Sequence, residues 1–214
     1  MLSRRFIFAA AAIALVWAVW LPRANASAMA ASELLDSKVE YVADFYLTPS
    51  NQGTYRGGVI HAHGRERRDF DTAGGRQSLL LRRDTNEAAM LWPERKWYVS
   101  TSFAMVSGMV GGFEDLTLDM KKIGKDTISG EVCTRYEVAG STEEGGDVHG
   151  RMWVTRDGIV MKFAATVRVN NRDKPVELGL LNLRRVAADP SAFVLPADYK
   201  GIPLALGNLG NLGK

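Results

Sequence analysis

Residues 151–169 have the sequence RMWVTRDGIVMKFAATVRV, and this stretch decides the fold class. From 159 onwards, large apolar side chains recur at nearly every second position, with polar residues such as Lys162 between them. A period of two is typical of a β-strand with one buried face. Asp157-Gly158 joins this run to the apolar run before it, which is the strongest short-range signal for a hairpin. The stretch therefore predicts two antiparallel strands.

The same alternation recurs along the rest of the chain, in segments 39–47, 116–120 and 128–138. Polar turn sequences separate these runs, at 83–86, 93–96 and 170–174. Many short strands at near-regular spacing, without a longer internal repeat, indicate a sandwich or a barrel. Residues 31–36 are compatible with a short N-terminal helix that leads into the first strand. The sequence thus predicts a mainly β, antiparallel protein.

Composition and charge exclude several classes of protein. The chain has 214 residues, of which 46% are apolar and 24% charged, so disorder, collagen-like repeats and a multi-pass membrane protein are excluded. The pI of about 9.0 comes from one segment. Residues 1–26 contain three arginines and no acid, whereas the remainder has 24 basic and 24 acidic residues. We therefore expect no nucleic-acid partner.

Residues 1–26 have the three parts of a secretory signal peptide. Arg4 and Arg5 precede an apolar run of 16 residues at 6–21, and Ala24-Asn25-Ala26 supplies small residues for cleavage. Similar sites follow, so we place the cut between 26 and 30. A retained anchor is the alternative, but a membrane-spanning helix needs about 20 apolar residues. We expect a secreted protein with one domain at 27–200 and a flexible Gly/Asn/Leu tail at 201–214.

Candidate catalytic residues are few. His61 and His63 share one face of a predicted strand, with His149 as a possible third metal ligand, but no acidic residue is spaced to complete a zinc site. The pattern favours two histidines on a solvated strand face. No serine elbow or phosphate-binding loop is present, and the lone Cys133 is interpreted as a small strand residue. We expect no enzyme activity, no metal and no cofactor.

Basic residues cluster in two places, at Arg65, Arg67 and Arg68 and at Arg82 and Arg83. Acidic residues lie among or beside them, including Glu66 and Asp84. The arrangement is typical of a solvated, ion-paired strand face.

The aromatic residues and methionines are the feature of the sequence that most favours an apolar ligand-binding cavity. Segment 103–113 is apolar on every side and rich in Met and Gly, as in a buried helix or a mobile flap. Some of the aromatic residues and methionines are expected to pack in an ordinary hydrophobic core. A sheet that curls without closing also leaves an apolar concave face, which the others can line. The candidate residues for such a cavity and its lid are Trp92, Trp97, Tyr98, Phe103, Met105, Met109, Phe113, Trp153, Met161 and Phe163.

Six blocks carry a resemblance to a known family, at 57–69, 78–84, 92–98, 123–136, 150–158 and 193–199. In this order, they resemble a family of secreted bacterial proteins of unknown function. That family is similar to the periplasmic outer-membrane lipoprotein-carrier (lipoprotein-sorting) proteins. The resemblance implies a half-open antiparallel β-barrel with a helical lid, for which 103–113 is the natural candidate, and an apolar interior for acyl chains. No ligand-contacting residue of the carriers matches a position here.

These observations lead to one preferred function and two alternatives. We expect a periplasmic, non-enzymatic binding or carrier protein for an acyl-chain ligand, either a lipid or a lipidated protein, with transient membrane contact. The first alternative is an envelope protein–protein interaction module without lipid. The second is a hydrolase or metalloenzyme that uses His61, His63 and His149.

Overall fold

The computed structural model describes residues 27–34, 36–48, 53–72, 74–103, 116–141, 147–169 and 172–203. These ranges contain one four-residue helix, α1 (Ala31–Leu34), and short 3-10 turns at Arg83–Thr85, Pro93–Arg95 and Pro190–Phe193. The strands are β1 (Ser27–Ala30), β2 (Tyr41–Thr48), β3 (Tyr55–Ala62), β4 (Arg65–Thr72), β5 (Gly75–Arg82), β6 (Glu87–Trp92), β7 (Trp97–Ser102), β8 (Thr117–Ile128), β9 (Glu131–Ser141), β10 (Asp147–Thr155), β11 (Val160–Val169), β12 (Arg172–Arg184) and β13 (Lys200–Gly201).

All 13 strands belong to one sheet, in the order β1-β8-β9-β10-β11-β12-β2-β3-β4-β5-β6-β7-β13. Neighbouring strands are antiparallel, except that β13 pairs in parallel with β7. The two end strands, β1 and β13, do not pair with each other across the described residues, so hydrogen bonds do not close the sheet. The prediction of a mainly β, antiparallel, unclosed barrel is confirmed. Its proposed lid, at 103–113, lies outside the described residues except for Phe103.

The predicted hairpin at Asp157-Gly158 joins β10 to β11. Gly158 has φ of 86°, a left-handed conformation that glycine adopts without strain. The Thr155 hydroxyl accepts a hydrogen bond from the Ile159 amide at 2.9 Å, and the Thr155 amide donates to the Ile159 carbonyl at 2.9 Å. The turn chemistry predicted from the sequence therefore closes this pair of strands.

Segment 128–138, which the alternation predicts as one strand, is instead a hairpin. The chain reverses at Ser129 and Gly130, whose φ angles are 50° and 86°. The pairing of β9 with β10 starts only at Cys133. Val132 therefore extends past the neighbouring strand and is 66% exposed, although it has the same parity as the buried Val138.

One face of the sheet is here called the inner face. It can be traced from strand to strand, because residues that lie opposite each other in register share a face. Tyr41 lies opposite His61, His61 opposite Glu66, and Glu66 opposite Leu81. Further along, Val59 and Met152 are both 1% exposed. Because the described strands form a single sheet, its apolar face is buried by curling onto itself. This curvature separates an interior from an outer surface.

The C-terminal segment packs on the opposite, outer face. Phe193 is 6% exposed, and Leu195 and Tyr199 contact a small cluster formed by Leu80, Ala89 and Leu91. Beyond them, β13 aligns with β7. Gly201, which we assigned to the flexible tail, is thus part of a strand, while 204–214 lie outside the described residues.

No helix within the described ranges is long and apolar enough to span a membrane.

Candidate functional site

A row of apolar side chains crosses the inner face of five neighbouring strands. Its members are opposite one another in register: Leu47, Leu178, Phe163, Met152 and Tyr136. Met152 is buried, whereas the other four remain partly exposed. We call these five residues the Phe163 row. Apolar surface that is inside the curve of the sheet yet incompletely covered is suited to an apolar ligand.

Gly150 lies on the inner face beside this row. An added Cβ would lie 2.6 Å from the Cβ of Ala165 on β11, too close for two carbon atoms. The missing side chain allows β10 and β11 to present their apolar residues without a steric clash. The glycine therefore helps to shape the interior.

The sequence-predicted cavity residues do not form one group. Trp92, Trp97, Phe103, Met161 and Phe163 are on the inner face, but in different parts of it. Trp92 and Trp97 form a cross-strand pair, 6% and 37% exposed, while Phe103 packs on Leu81 and Ala88. Met161 and Phe163 belong to separate core clusters.

Two predicted cavity residues lie on the other side of their strands. Tyr98 packs with Leu195 on the outer face. Trp153 is opposite Lys162 in register and donates a hydrogen bond from Nε1 to Asp126 Oδ2 at 3.1 Å, although it is 9% exposed and belongs to the same core cluster as Met161. The remaining candidates, Met105, Met109 and Phe113, lie outside the described residues. The prediction that all these residues line one cavity stays a prediction.

A buried polar group occupies one end of the inner face, where β2, β3 and β4 meet. His61 is fully buried and its ring stacks on Tyr41, with the centroids 4.8 Å apart. His61 Nε2 donates to the Ser37 carbonyl at 2.8 Å, and Nδ1 lies 3.1 Å from Glu66 Oε2. Both ring nitrogens are therefore engaged.

Glu66 is held as a carboxylate by its neighbours. It is 1% exposed, and burial alone would raise its pKa. The adjacent Arg68 and the hydrogen bond from His61 outweigh burial and hold the pKa of Glu66 well below its usual range. Arg68 Nε donates to Glu66 Oε1 at 2.6 Å, and its guanidinium lies over the Phe45 ring at 5.3 Å.

Asp36 and Arg83 complete this group from other elements. Asp36 Oδ1 accepts a hydrogen bond from the Gly64 amide at 2.8 Å and lies 3.9 Å from Arg83 Nη1. The Arg83 guanidinium lies over the Phe103 ring at 5.2 Å. We call Asp36, Tyr41, His61, Glu66, Arg68 and Arg83 the Arg83 cluster. Burial, followed by the charge of Glu66, raises the pKa of Tyr41 well above its ordinary value, so this hydroxyl stays neutral.

The expectation of a solvated, ion-paired basic face is therefore only partly correct. Arg65 and Arg82 lie opposite each other on the outer face, where they pair with Asp84 and Glu87. Arg68 and Arg83 point inward instead. Strand β4 carries charged residues on both faces, so its sequence shows no apolar alternation from which the inward side could be found.

The predicted histidine pair also differs from the expectation of a solvated strand face. His61 is buried, whereas His63 follows β3 in a turn, is 63% exposed and contacts Asp36 at 3.3 Å. His149 is on β10, opposite Ala139 and Thr166, away from both. Within the described ranges, no group of three or more His, Cys, Asp or Glu residues could hold a metal ion.

A separate cavity of about 430 Å³ lies mainly on the outer face, between β5–β7 and the C-terminal segment. Its floor includes Leu80 and Ala89, and Phe193 and Leu195 form one wall. Arg65 and Arg82 at its rim are the ion-paired residues of the outer face. This cavity is distinct from the Phe163 row.

Comparisons with known proteins support the resemblance inferred from the sequence. Residues 63–164 match a family model described as a domain of unknown function (DUF4412). An uncharacterized conserved protein from Thermus thermophilus has a similar fold, with 10% identity and a TM-score of 0.54 over 82% of this chain and 99% of that one. No curated protein matches the sequence.

Two further solved structures are more distant. A putative outer membrane lipoprotein-sorting protein domain from Vibrio parahaemolyticus has 13% identity and a TM-score of 0.40, covering 76% of this chain and 92% of that one. MucB, in its complex with MucA from Pseudomonas aeruginosa, has 13% identity and a TM-score of 0.47 over 80% of this chain. The present chain spans 63% of the length of that protein.

Proposed function

We propose that this protein is a periplasmic, non-enzymatic carrier that binds an acyl chain on the inner face of its half-open barrel. The observation that carries the proposal is the Phe163 row, in which four of five large apolar side chains stay partly exposed inside the curved sheet. The leader-like segment at 1–26 supports a location outside the cytoplasm.

The energetics of acyl transfer favour an open groove over a sealed cavity. Burial of a methylene group contributes about 0.8 kcal/mol, so a 16-carbon chain contributes roughly 13 kcal/mol wherever it is buried. A carrier must offset the loss of membrane burial during transfer but must also release the chain at its destination. A partly exposed apolar row meets both requirements, because it covers the chain incompletely.

Native mass spectrometry of the protein, purified from the periplasm without detergent, tests this proposal. We expect stoichiometric added mass that organic extraction recovers as a lipid or a lipidated protein. Phe163→Asn should remove most of that mass, because it places a polar amide in the centre of the row. The matched control is Thr166→Asn, three residues along the same strand on the exposed outer side.

Circular dichroism should show that both variants keep the β-rich fold. An apoprotein mass for the wild type would overturn the carrier proposal. Recovery of a stoichiometric protein partner without lipid would overturn it in favour of an interaction module. Equal lipid retention by Phe163→Asn and Thr166→Asn would exclude the Phe163 row as the binding surface.

A further inference from the structure

The hairpin formed by β8 and β9 extends beyond the strands next to it. We call residues 121–132 the hairpin end. Strand β1 pairs only with residues 117–120 of β8, so the edge of β8 that faces away from β9 has no strand partner beyond Met120 in the described part of the chain. On the other side, β10 pairs with β9 only from Cys133 onwards. The hairpin end therefore has a bare edge along β8 and a tip without a neighbour on either side.

The hairpin end presents positive charge to the solvent. Its lysines, all exposed, are Lys121, Lys122 and Lys125. Within the described residues, none of the three forms an ion pair. Its two acids, in contrast, are held by neighbours. Asp126 accepts a hydrogen bond from Trp153 Nε1 at 3.1 Å. Glu131 accepts two hydrogen bonds from Arg185, at 3.0 and 2.8 Å.

Two of these lysines share the inner side of the hairpin with an exposed valine. Lys122 is opposite Tyr136 in register, and Lys125 is opposite Thr134. Because side chains alternate along a strand, Val132, Thr134 and Tyr136 lie on the same side of β9. Tyr136 is a member of the Phe163 row. Cationic and apolar side chains therefore stand together at the β8 edge of this row.

Lysines on an edge strand often serve to prevent pairing with another chain. That role alone does not explain the apolar side chains exposed at the same place, since exposed apolar side chains favour association. Val132 is 66% exposed, and Ile123, at the irregularity of β8, is 36% exposed. The surface of a bilayer with anionic lipids suits both kinds of side chain. Its head groups attract lysines, and the boundary beneath them accepts apolar groups.

We propose that the inner side of the hairpin end docks on the surface of a lipid bilayer that contains anionic lipids. In this orientation, Lys122 and Lys125 contact the head groups, and Val132 enters the boundary between head groups and acyl chains. Docking then brings Tyr136, and with it the edge of the Phe163 row, to the bilayer. This inference goes beyond the proposed function, because docking requires no bound acyl chain.

Co-sedimentation of the purified protein with lipid vesicles tests the inference. The vesicles contain either phosphatidylcholine alone or phosphatidylcholine with about one quarter of phosphatidylglycerol, which supplies the negative surface potential. We expect the protein to bind the anionic vesicles at least about tenfold more strongly than the neutral ones. An increase in ionic strength from about 0.1 M to about 1 M should remove most of this difference, because salt screens exposed charges.

The double variant Lys122→Gln/Lys125→Gln should weaken binding to the anionic vesicles at least about tenfold, since one lysine near such a surface contributes about fivefold. The matched control is Arg172→Gln/Lys174→Gln. It removes two exposed cations where β12 pairs with the last residues of β11. These positions lie about 20 Å from the hairpin end, well beyond the screening length of about 10 Å. The control should therefore change binding less than about twofold.

Val132→Ser tests the apolar part of the contact. It should weaken binding to the anionic vesicles by at least about threefold, because less apolar surface leaves the water. Val194→Ser is the matched control, since Val194 is 61% exposed in the C-terminal segment. It should leave binding unchanged. Circular dichroism should show that all four variants keep the β-rich fold.

Equal binding of the wild type to neutral and anionic vesicles would overturn the inference while leaving the carrier proposal intact. An equal loss in the two double variants would overturn it as well, since the effect would be one of overall charge. Self-association of Lys122→Gln/Lys125→Gln with unchanged vesicle binding would show that the lysines only protect the edge. Lysine-dependent vesicle binding by a protein that is purified without lipid would support docking but overturn the carrier proposal.

Discussion

At the scale of single residues, Glu66 is the centre of the buried polar group. It accepts a hydrogen bond from Arg68 at 2.6 Å, and its other oxygen lies 3.1 Å from His61 Nδ1. Removal of one partner from a buried ion pair leaves the other charge uncompensated, which is usually more costly than loss of the pair as a whole. Glu66 is therefore expected to be more important for stability than the exposed acids of the outer face.

We predict that Glu66→Gln lowers the free energy of unfolding by about 3 kcal/mol at neutral pH, as measured by urea denaturation. The control is Glu87→Gln, which removes an exposed partner of Arg82 on the outer face. Its effect should stay within about 0.5 kcal/mol. Similar midpoints for the two variants would contradict the assignment.

The same pair predicts a pH dependence. The pKa of Glu66 is lower in the folded than in the unfolded protein, so the unfolded state binds more protons as the solution becomes acidic. The stabilisation is complete above the ordinary value of 4.5 and is lost as pH falls towards the folded value. The stability difference between wild type and Glu66→Gln should therefore shrink below about pH 4.5, and a difference that grows there would contradict this origin.

At the scale of strands, two glycines show how spacing shapes the interior. Gly150 is on the inner face, where an added Cβ would meet Ala165. Gly58 is on the outer side of β3, where an added Cβ would meet nothing within 4 Å. Both glycines leave a strand position without a side chain, so the two positions differ mainly in how much space an added methyl group would find.

We predict opposite signs for the two alanine substitutions. Gly150→Ala should destabilise the protein by about 1–3 kcal/mol through overpacking. Gly58→Ala should stabilise it by about 0.5–1 kcal/mol, because alanine loses less backbone freedom on folding. Thermal unfolding of the two variants checks this prediction. Destabilisation by both would show that the two sites are equally crowded.

Alternation and turn chemistry were enough to predict a mainly β, antiparallel fold and the hairpin at Gly158. They were not enough for the Phe163 row, because its members come from five strands whose pairing depends on register. They also missed the inward side of Arg68, since both faces of β4 are polar. Local pattern identifies an element, whereas a site that spans the sheet depends on how distant elements align.

At the scale of the whole molecule, the C-terminal segment acts as a cover for the outer face. Phe193 is 6% exposed against the β5–β7 region, whereas its neighbour Val194 is 61% exposed. The segment thus packs directly on the sheet, so we expect loss of this packing to lower the stability of the whole sheet.

We predict that Phe193→Ala lowers the free energy of unfolding by about 3 kcal/mol within a single cooperative transition. Val194→Ala is the matched control and should change the value by less than about 0.5 kcal/mol. The measurement is urea denaturation followed by both fluorescence and circular dichroism. A separate early transition in Phe193→Ala would show that the segment unfolds independently.

The pairing of β2 with β12 has a consequence for biosynthesis. Tyr46 and Glu177, which form a 2.9 Å hydrogen bond across these strands, are 131 residues apart in sequence. During synthesis, β2 is therefore completed long before its partner strand β12. Pairing between segments that are so distant in sequence is intrinsically slow. The complete sheet can therefore form only after β12 has been synthesised, although β2 to β7 are neighbours in sequence as well as in the sheet.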